Sequence, residues 1–337
     1  MGTIEQGVKQ AVENCLRVKA GEKVVVITDK ETLEIGSALK AAIEKITGQV
    51  EFFVMEDFGE RPIDYPPAID EAIRAADVSV YAAQGAKGEL QTFRMHMLNA
   101  VEANGRLRHA HMIGITKQIM EQGMCSDYSE IQQVSKLVYE KVKDAREIRV
   151  VTGKGCDFTA EFSPKLKWII SDGHITPGHW KNLPDGEVFT SPINVNGTVI
   201  FDGCLGDFFA DRYGSLENQP VVIEVADGWA IRESVQCSNE ALRKEFTEYL
   251  FETDQNSNRV GEFAIGTNTG LTELIYNLLQ DEKFPGIHIA FGSPLPGKTG
   301  ADWNSKAHVD GVIKNPTIHV DGEIIMGEGT FLLEEAV

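Results

Sequence analysis

Near the C-terminal end of this sequence, His308-Val309-Asp310 lies within the stretch ADWNSKAHVDGVI. In an extended strand alternate side chains share a face, so His308 and Asp310 point the same way and Val309 points into the packing. A neutral imidazole and a carboxylate on one face offer two ligands to a divalent cation. The same pair also suits a hydrogen-bonded couple on an edge strand.

Three further segments hold candidates of the same chemical kind. GHITPGHWKNLPDGEVFTSP contains His174, His179, Asp185 and Glu187. Its prolines (Pro177, Pro184, Pro192) and glycines (Gly173, Gly178, Gly186) argue against long regular elements, so a shaped loop is expected, of the kind that carries function. In such a loop Asp185 also suits a turn cap and Glu187 a solvated position. NRVGEFAIGTNTG sets Glu262 among apolar neighbours and glycines, where a carboxylate is costly to bury unless it is metal-bound or paired, for example with Arg259 across a turn. PGIHIAFGSPLPG places His288 between two isoleucines in a strand-like run, a setting that more often holds a satisfied core histidine.

Together Glu187, Glu262, His288, His308 and Asp310 are a ligand set for a pair of metals, with water at the open positions. Such a centre polarises a carbonyl and generates hydroxide near neutral pH. Two carboxylates and one histidine of the set can instead face a single Fe(II), leaving positions for oxygen and substrate. The residue types leave both readings open. Other chemistries find less support. Serine-nucleophile catalysis lacks a GxSxG elbow, and Cys156 and Cys204 have no evident activating partner. His109 and His111 border a strand, and Met95, Met97 and Met112 read as core filler.

The elements that must position these residues fall into two textures. The first ~115 residues alternate helix and strand patterns. GVKQAVENCLRV, LEIGSALKAAIEKI and AIDEAIRAA are helical; EKVVVITD, VEFFVM, DVSVYAA and HAHMIGIT are strands. This alternation predicts an α/β fold, a doubly covered, mostly parallel sheet built by right-handed crossovers. No GxGxxG or GxxxxGK[ST] follows any strand, and GAKGEL at 85–90 fits neither pattern, so dinucleotide binding is unsupported. YSEIQQVSKLVYEKVKDA reads as a long helix between the halves. Beyond it the chain turns β-rich. REIRVVTGKGCDFTAEF reads as paired strands, and Asn196-Gly197 and Asp321-Gly322 each sit between β runs as hairpin turns. NTGLTELIYNLLQ is expected to be helical. The division expected is an α/β domain over 1–146 and a β-rich, metal-binding catalytic domain over 147–337.

Bulk properties narrow the partners. The chain has 337 residues, 42% of them hydrophobic and 25% charged, as in a globular protein with room for two domains. Its net charge of −19 repels phosphate backbones and attracts cations, so no nucleic-acid partner is expected. No run approaches the ~20 apolar residues that span a bilayer, so no membrane role is expected. The N-terminal MGTIEQGVKQAVENC has no basic start followed by an apolar core, which makes the cytoplasm the expected location. Five dispersed cysteines without a CxxC pair argue against a disulfide framework or a zinc finger.

On NLPDGEVFTSP, GEFAIGTNTG, HIAFG and NSKAHVD, in that order, with HVDGEIIMGEG near the end, the chain resembles the aminopeptidase T-like family of metallopeptidases, the thermophilic metalloprotease group. The resemblance is specific after about residue 150. It implies two divalent metals, zinc or cobalt, a homodimer with enclosed sites, and hydrolytic release of N-terminal residues from short peptides. Position by position, it implies metal ligation by Glu187, Glu262, His288, His308 and Asp310, with Glu187 or Glu262 assisting proton transfer. The family's tyrosine ligand falls at Leu295 here, an aliphatic side chain that cannot coordinate. The 2,5-dihydroxypyridine dioxygenase group shares this fold, and its mononuclear Fe(II) ligands resemble Glu262, His308 and Asp310. That likeness implies, as the alternative, ring cleavage of a hydroxylated N-heteroaromatic with one Fe(II) per chain.

Overall fold

The computed structural model describes residues 2–62, 64–86 and 88–333. The chain forms two compact units, one of Met1–Gln132 with Gly173–Asp185 and one of Gln133–Asp172 with Gly186–Val337. The division expected at 146/147 thus lies at 132/133, inside the helix Tyr128–Val142, and a later segment returns to the first unit.

In the first unit the apolar runs Val24–Thr28 and Val78–Ala83 are buried along their whole length, as strands covered on both faces must be. They lie in a five-stranded sheet in the order Val50–Val54, Val24–Thr28, Val78–Ala83, Arg108–Ile113, His179–Asn182. Every neighbouring pair is parallel. The last strand falls in the segment expected to be a loop. Pro177 and Pro184 confine it to four residues at the sheet edge, where a missing N–H does no harm. The first strand order switches direction between Val24–Thr28 and Val78–Ala83, the crevice where doubly wound sheets take ligands. Here protein groups fill that place. Asp29 accepts the Thr32 and Gln84 backbone N–H groups and pairs with Arg61 at 2.6 Å, and Arg61 also reaches Glu89 at 3.0 Å. The GAKGEL stretch follows, with Lys87 outside the described residues.

The second unit holds two antiparallel sheets. The larger runs Trp229–Ala230, Val221–Ala226, Asn194–Phe201, Asp157–Glu161, Glu147–Val151, Thr317–Val320, Glu323–Gly327, Thr330–Phe331. The smaller runs His308–Ile313, Gly286–Gly292, Val260–Gly266, Glu187–Thr190, Ile169–Ser171. One core joins them. Phe263, Ile265, Ile287, Ile289, Phe291 and Val309 of the small sheet share it with Ile148, Val150, Phe158, Val199, Phe201 and Ile223 of the large one.

Two local expectations are corrected. Asn196-Gly197 is not a hairpin turn but lies inside the continuous strand Asn194–Phe201. Gly197 has φ +126°, and a Cβ there would run into the Asp157 carbonyl oxygen, so the glycine serves a close strand approach. By contrast Asp321-Gly322, with φ +47° and +90°, joins Thr317–Val320 to Glu323–Gly327 as the hairpin its sequence indicates. NTGLTELIYNLLQ is not a helix except for Leu278–Asp281. The Asp281 carboxylate accepts the Ile275 and Tyr276 N–H groups, and Asn277 caps Leu279, so side chains take over the bonds a helix would have made. No helix among the described residues is long and apolar enough to cross a membrane.

Candidate metal centre

The register of the small sheet collects the candidate residues. Glu262 lies opposite Ala290, which lies opposite Asp310; His288 lies opposite Ala264; Gly292 opposite His308; Gly266 opposite Glu187. Directly paired residues and those two apart share a face. Glu187, Glu262, His288, His308 and Asp310 therefore all project from the face turned away from Phe263, Ile289 and the shared core. Their cross-strand partners are small, which leaves room above the backbone for three carboxylates and two rings.

Sequence reasoning missed the fourth carboxylate, Glu282, and the cation beside it, Lys283. Both precede the Gly286–Gly292 strand. Ligand-type atoms of Glu187, Glu262 and His288 lie within 4.8 Å of one another, as do those of Glu262, His308 and Asp310 and those of Glu282, His288 and Asp310. Glu262 is common to the first two groups. One of its oxygens is 3.9 Å from His288 Nε2 and the other 3.4 Å from His308 Nε2. His308 Nε2 is also 3.4 Å from Asp310.

These spacings suit a cation. A tetrahedral ion with ~2.1 Å bonds holds its ligands about 3.4 Å apart. The His308 Nδ1–H donates to the Ser293 carbonyl at 3.0 Å, which leaves Nε2, facing the two carboxylates, as the nitrogen open to a cation. A positive charge belongs there, an ion or a ring proton: burial would lower the His308 pKa, but Asp310 and Glu262 hold it above the usual value. This histidine also has the outer carbonyl acceptor that metal-binding imidazoles ordinarily have. The donor set of Glu262, His308 and Asp310 therefore fits a divalent metal.

The electrostatics carry the same message. Glu187, Glu262 and Asp310 are each at most 7% exposed. Burial pushes the Glu262 carboxyl up; His308 opposes that, while Asp310 and Glu187 add to it. Burial likewise pushes Glu282 up, against Lys283 and with Glu187 and Asp310. For Glu187 the balance reverses. Burial would raise it, but Lys283, 2.7 Å away, and His288, 3.3 Å away, hold it below the usual carboxylate range. A site so rich in buried carboxylate calls for cationic charge.

The remaining candidates lie elsewhere. Glu187 is buried, not solvated. Arg259 stacks on Trp303, 4.1 Å from the ring centroid, while Glu262 faces the two histidines instead. Asp185, in the first unit, is fully buried and accepts the Gly173 N–H. His174 meets Arg17 and His179 the Pro177 carbonyl, both in the first unit, and His319 sits in the large sheet. Leu295 occupies a left-handed turn (φ +52°) two residues after Ser293.

An α/β chain with a carboxylate–imidazole face of this composition belongs to the metal-binding class of proteins. The family model for thermophilic metalloprotease (M29) matches residues 118–335, well over half of the chain, and the chain belongs to that family. Among solved structures it is similar to 2,5-dihydroxypyridine dioxygenase from Pseudomonas putida KT2440 (16% identity, TM-score 0.70, covering 98% of this chain and 97% of that one). It is also similar to wild-type AmpT from Thermus thermophilus (16% identity, TM-score 0.66, covering 98% and 99%). Both likenesses establish the fold. No curated protein matches the sequence.

Proposed function

We propose that this chain is a metal-dependent aminopeptidase that releases N-terminal residues from short peptides. The observation that carries the reading is the gathering of Glu187, Glu262, His288, His308 and Asp310 on one sheet face, within the span matched by the metalloprotease family. The ligands of this reading are Glu262, His308 and Asp310, with Glu187 and His288 beside them. A divalent ion on this face supplies Lewis-acid polarisation of the scissile carbonyl and acidifies water.

The chain's own groups do the rest. Glu262 or Glu187 accepts the proton from attacking water, and Lys283 keeps Glu187 ionised. The negative field of this carboxylate-rich face attracts the α-ammonium group of a peptide, which selects for an unblocked N-terminus. The Phe263–Ile289 side of the sheet is solid core, so substrate meets only the acidic face. The test is release of the N-terminal residue from dipeptides or aminoacyl-nitroanilides by protein loaded with Zn²⁺ or Co²⁺. No cleavage across such a panel sinks the reading. A homodimer in the cytoplasm is part of the same proposal, checked by light scattering and by fractionation.

A second reading has one observation in its favour. Leu295 brings no oxygen to the site, and Glu262, His308 and Asp310 by themselves form the two-carboxylate, one-histidine set that suits a single Fe(II). Ring-cleaving dioxygenation of a hydroxylated N-heteroaromatic follows from that reading. It requires oxygen uptake by anaerobically iron-loaded protein with such substrates, and absence of uptake removes it.

A further inference from the structure

The two halves of the acidic face are not equivalent. This inference rests on the reading of that face as a metal centre and concerns how many ions it takes. On one side His308 gives its Nδ1–H to the Ser293 carbonyl and turns Nε2 toward Glu262 and Asp310. On the other side His288 is 2% exposed, and its Nδ1 has no hydrogen-bond partner among the described residues. The group its ring does face is Glu187, with Nε2 3.3 Å from Oε2. A metal-binding imidazole ordinarily gives its other N–H to an acceptor, as His308 does to the Ser293 carbonyl, and the buried Nδ1 of His288 has none among the described residues. Ligation through Nε2 would therefore leave a buried Nδ1–H without an acceptor.

The positive charge on that side is supplied by the protein. Lys283 is 2% exposed, with Nζ 2.7 Å from Glu187 Oε1 and 2.5 Å from Glu282 Oε1. An ammonium buried to that degree persists only between carboxylates, and here it has two. A divalent ion on the other oxygen of Glu187 would share one carboxylate with this ammonium and repel it. We propose that Lys283 is a built-in cation standing in place of a second metal, so that the centre binds one divalent ion per chain, on Glu262, His308 and Asp310. Glu187 and His288 then serve as a hydrogen-bonded pair beside the ion and not as ligands to it.

The experiment is zinc stoichiometry by elemental analysis of the full chain, after loading with excess Zn²⁺ and removal of free metal. Wild-type protein should hold one zinc per chain, and His288→Ala should still hold one. His308→Ala should bind zinc at least 100-fold more weakly. Lys283→Met, which keeps the length of the side chain and removes its charge, should rise to two zinc ions per chain. Should Lys283→Met fail to fold, the contrast between His288→Ala and His308→Ala decides the matter alone. Two ions in the wild type, or loss of zinc by His288→Ala as complete as by His308→Ala, overturns this inference and leaves the metal centre standing. No zinc in the wild type overturns the metal centre itself.

Discussion

Replacing His308 by alanine removes a ring nitrogen that lies 3.4 Å from both Glu262 and Asp310, and leaves those two carboxylates facing each other. About a third of this side chain is in solvent, so the truncation opens no sealed cavity, and the metal-free protein should melt close to the wild type. The metal-bound protein is where the difference lies. Losing a mere outer partner of a metal-bound histidine weakens metal binding 10–100-fold, so losing the histidine itself should cost at least about 100-fold. Zinc at ~1,000 times the wild-type Kd stabilises by about 4 kcal/mol, whereas at ~10 times the variant's Kd it stabilises by only about 1.4 kcal/mol. The unit that carries the site has roughly 190 residues, for which 1 kcal/mol moves Tm by about 2–4 °C. Zinc should therefore raise the wild-type Tm by about 8–16 °C and the variant's by about 3–6 °C, measured by differential scanning calorimetry and reversed by a chelator. Equal zinc shifts in the two proteins refute the assignment of His308.

The other predictions concern the scaffold around the site. His109 is fully buried against Ser79 Oγ at 2.7 Å, and burial pulls it down to about 3, with His111 beside it lowered as well. A histidine lowered in the fold contributes full stability above its ordinary value near 6.5 and loses it as pH falls, at about 1.4 kcal/mol per pH unit. The stability difference between wild type and His109→Gln should therefore shrink between pH 6.5 and 4.5, and a constant difference contradicts the reasoning. Arg61→Met leaves Asp29 and Glu89 buried without their guanidinium and should cost about 3–5 kcal/mol in urea unfolding, with zinc affinity unchanged. Gly266→Ala places a Cβ against the Phe284 carbonyl next to Lys283 and should cost about 1–3 kcal/mol while weakening zinc binding, read by calorimetry and zinc titration.

Much of the site is legible from residue types and parity. The alternation in VGEFAIG, GIHIAFG and HVDGVI already puts Glu262, His288, His308 and Asp310 on alternate positions of strands, and pairing then aligns the faces. The burial of Glu187 is harder to read, because prolines and glycines around it describe a loop while Glu187–Thr190 pairs into the sheet. Glu282 and Lys283 were hidden for a different reason. Asp281-Glu282-Lys283 before an apolar strand has the composition of a solvated turn, and only tertiary packing removes it from water. The parallel sheet of the first unit follows from its apolar runs, but the return of His179–Asn182 to that sheet depends on pairing across a long separation in sequence. NTGLTELIYNLLQ has helical periodicity, yet buried Asp281 draws its backbone into turns, a competition that periodicity does not register.

The most direct measurement of the central claim is anomalous scattering from crystals of the full chain loaded with zinc. A zinc peak is expected within about 2.0–2.2 Å of a Glu262 oxygen, His308 Nε2 and an Asp310 oxygen. A zinc site on other residues, or none on this face, contradicts that claim.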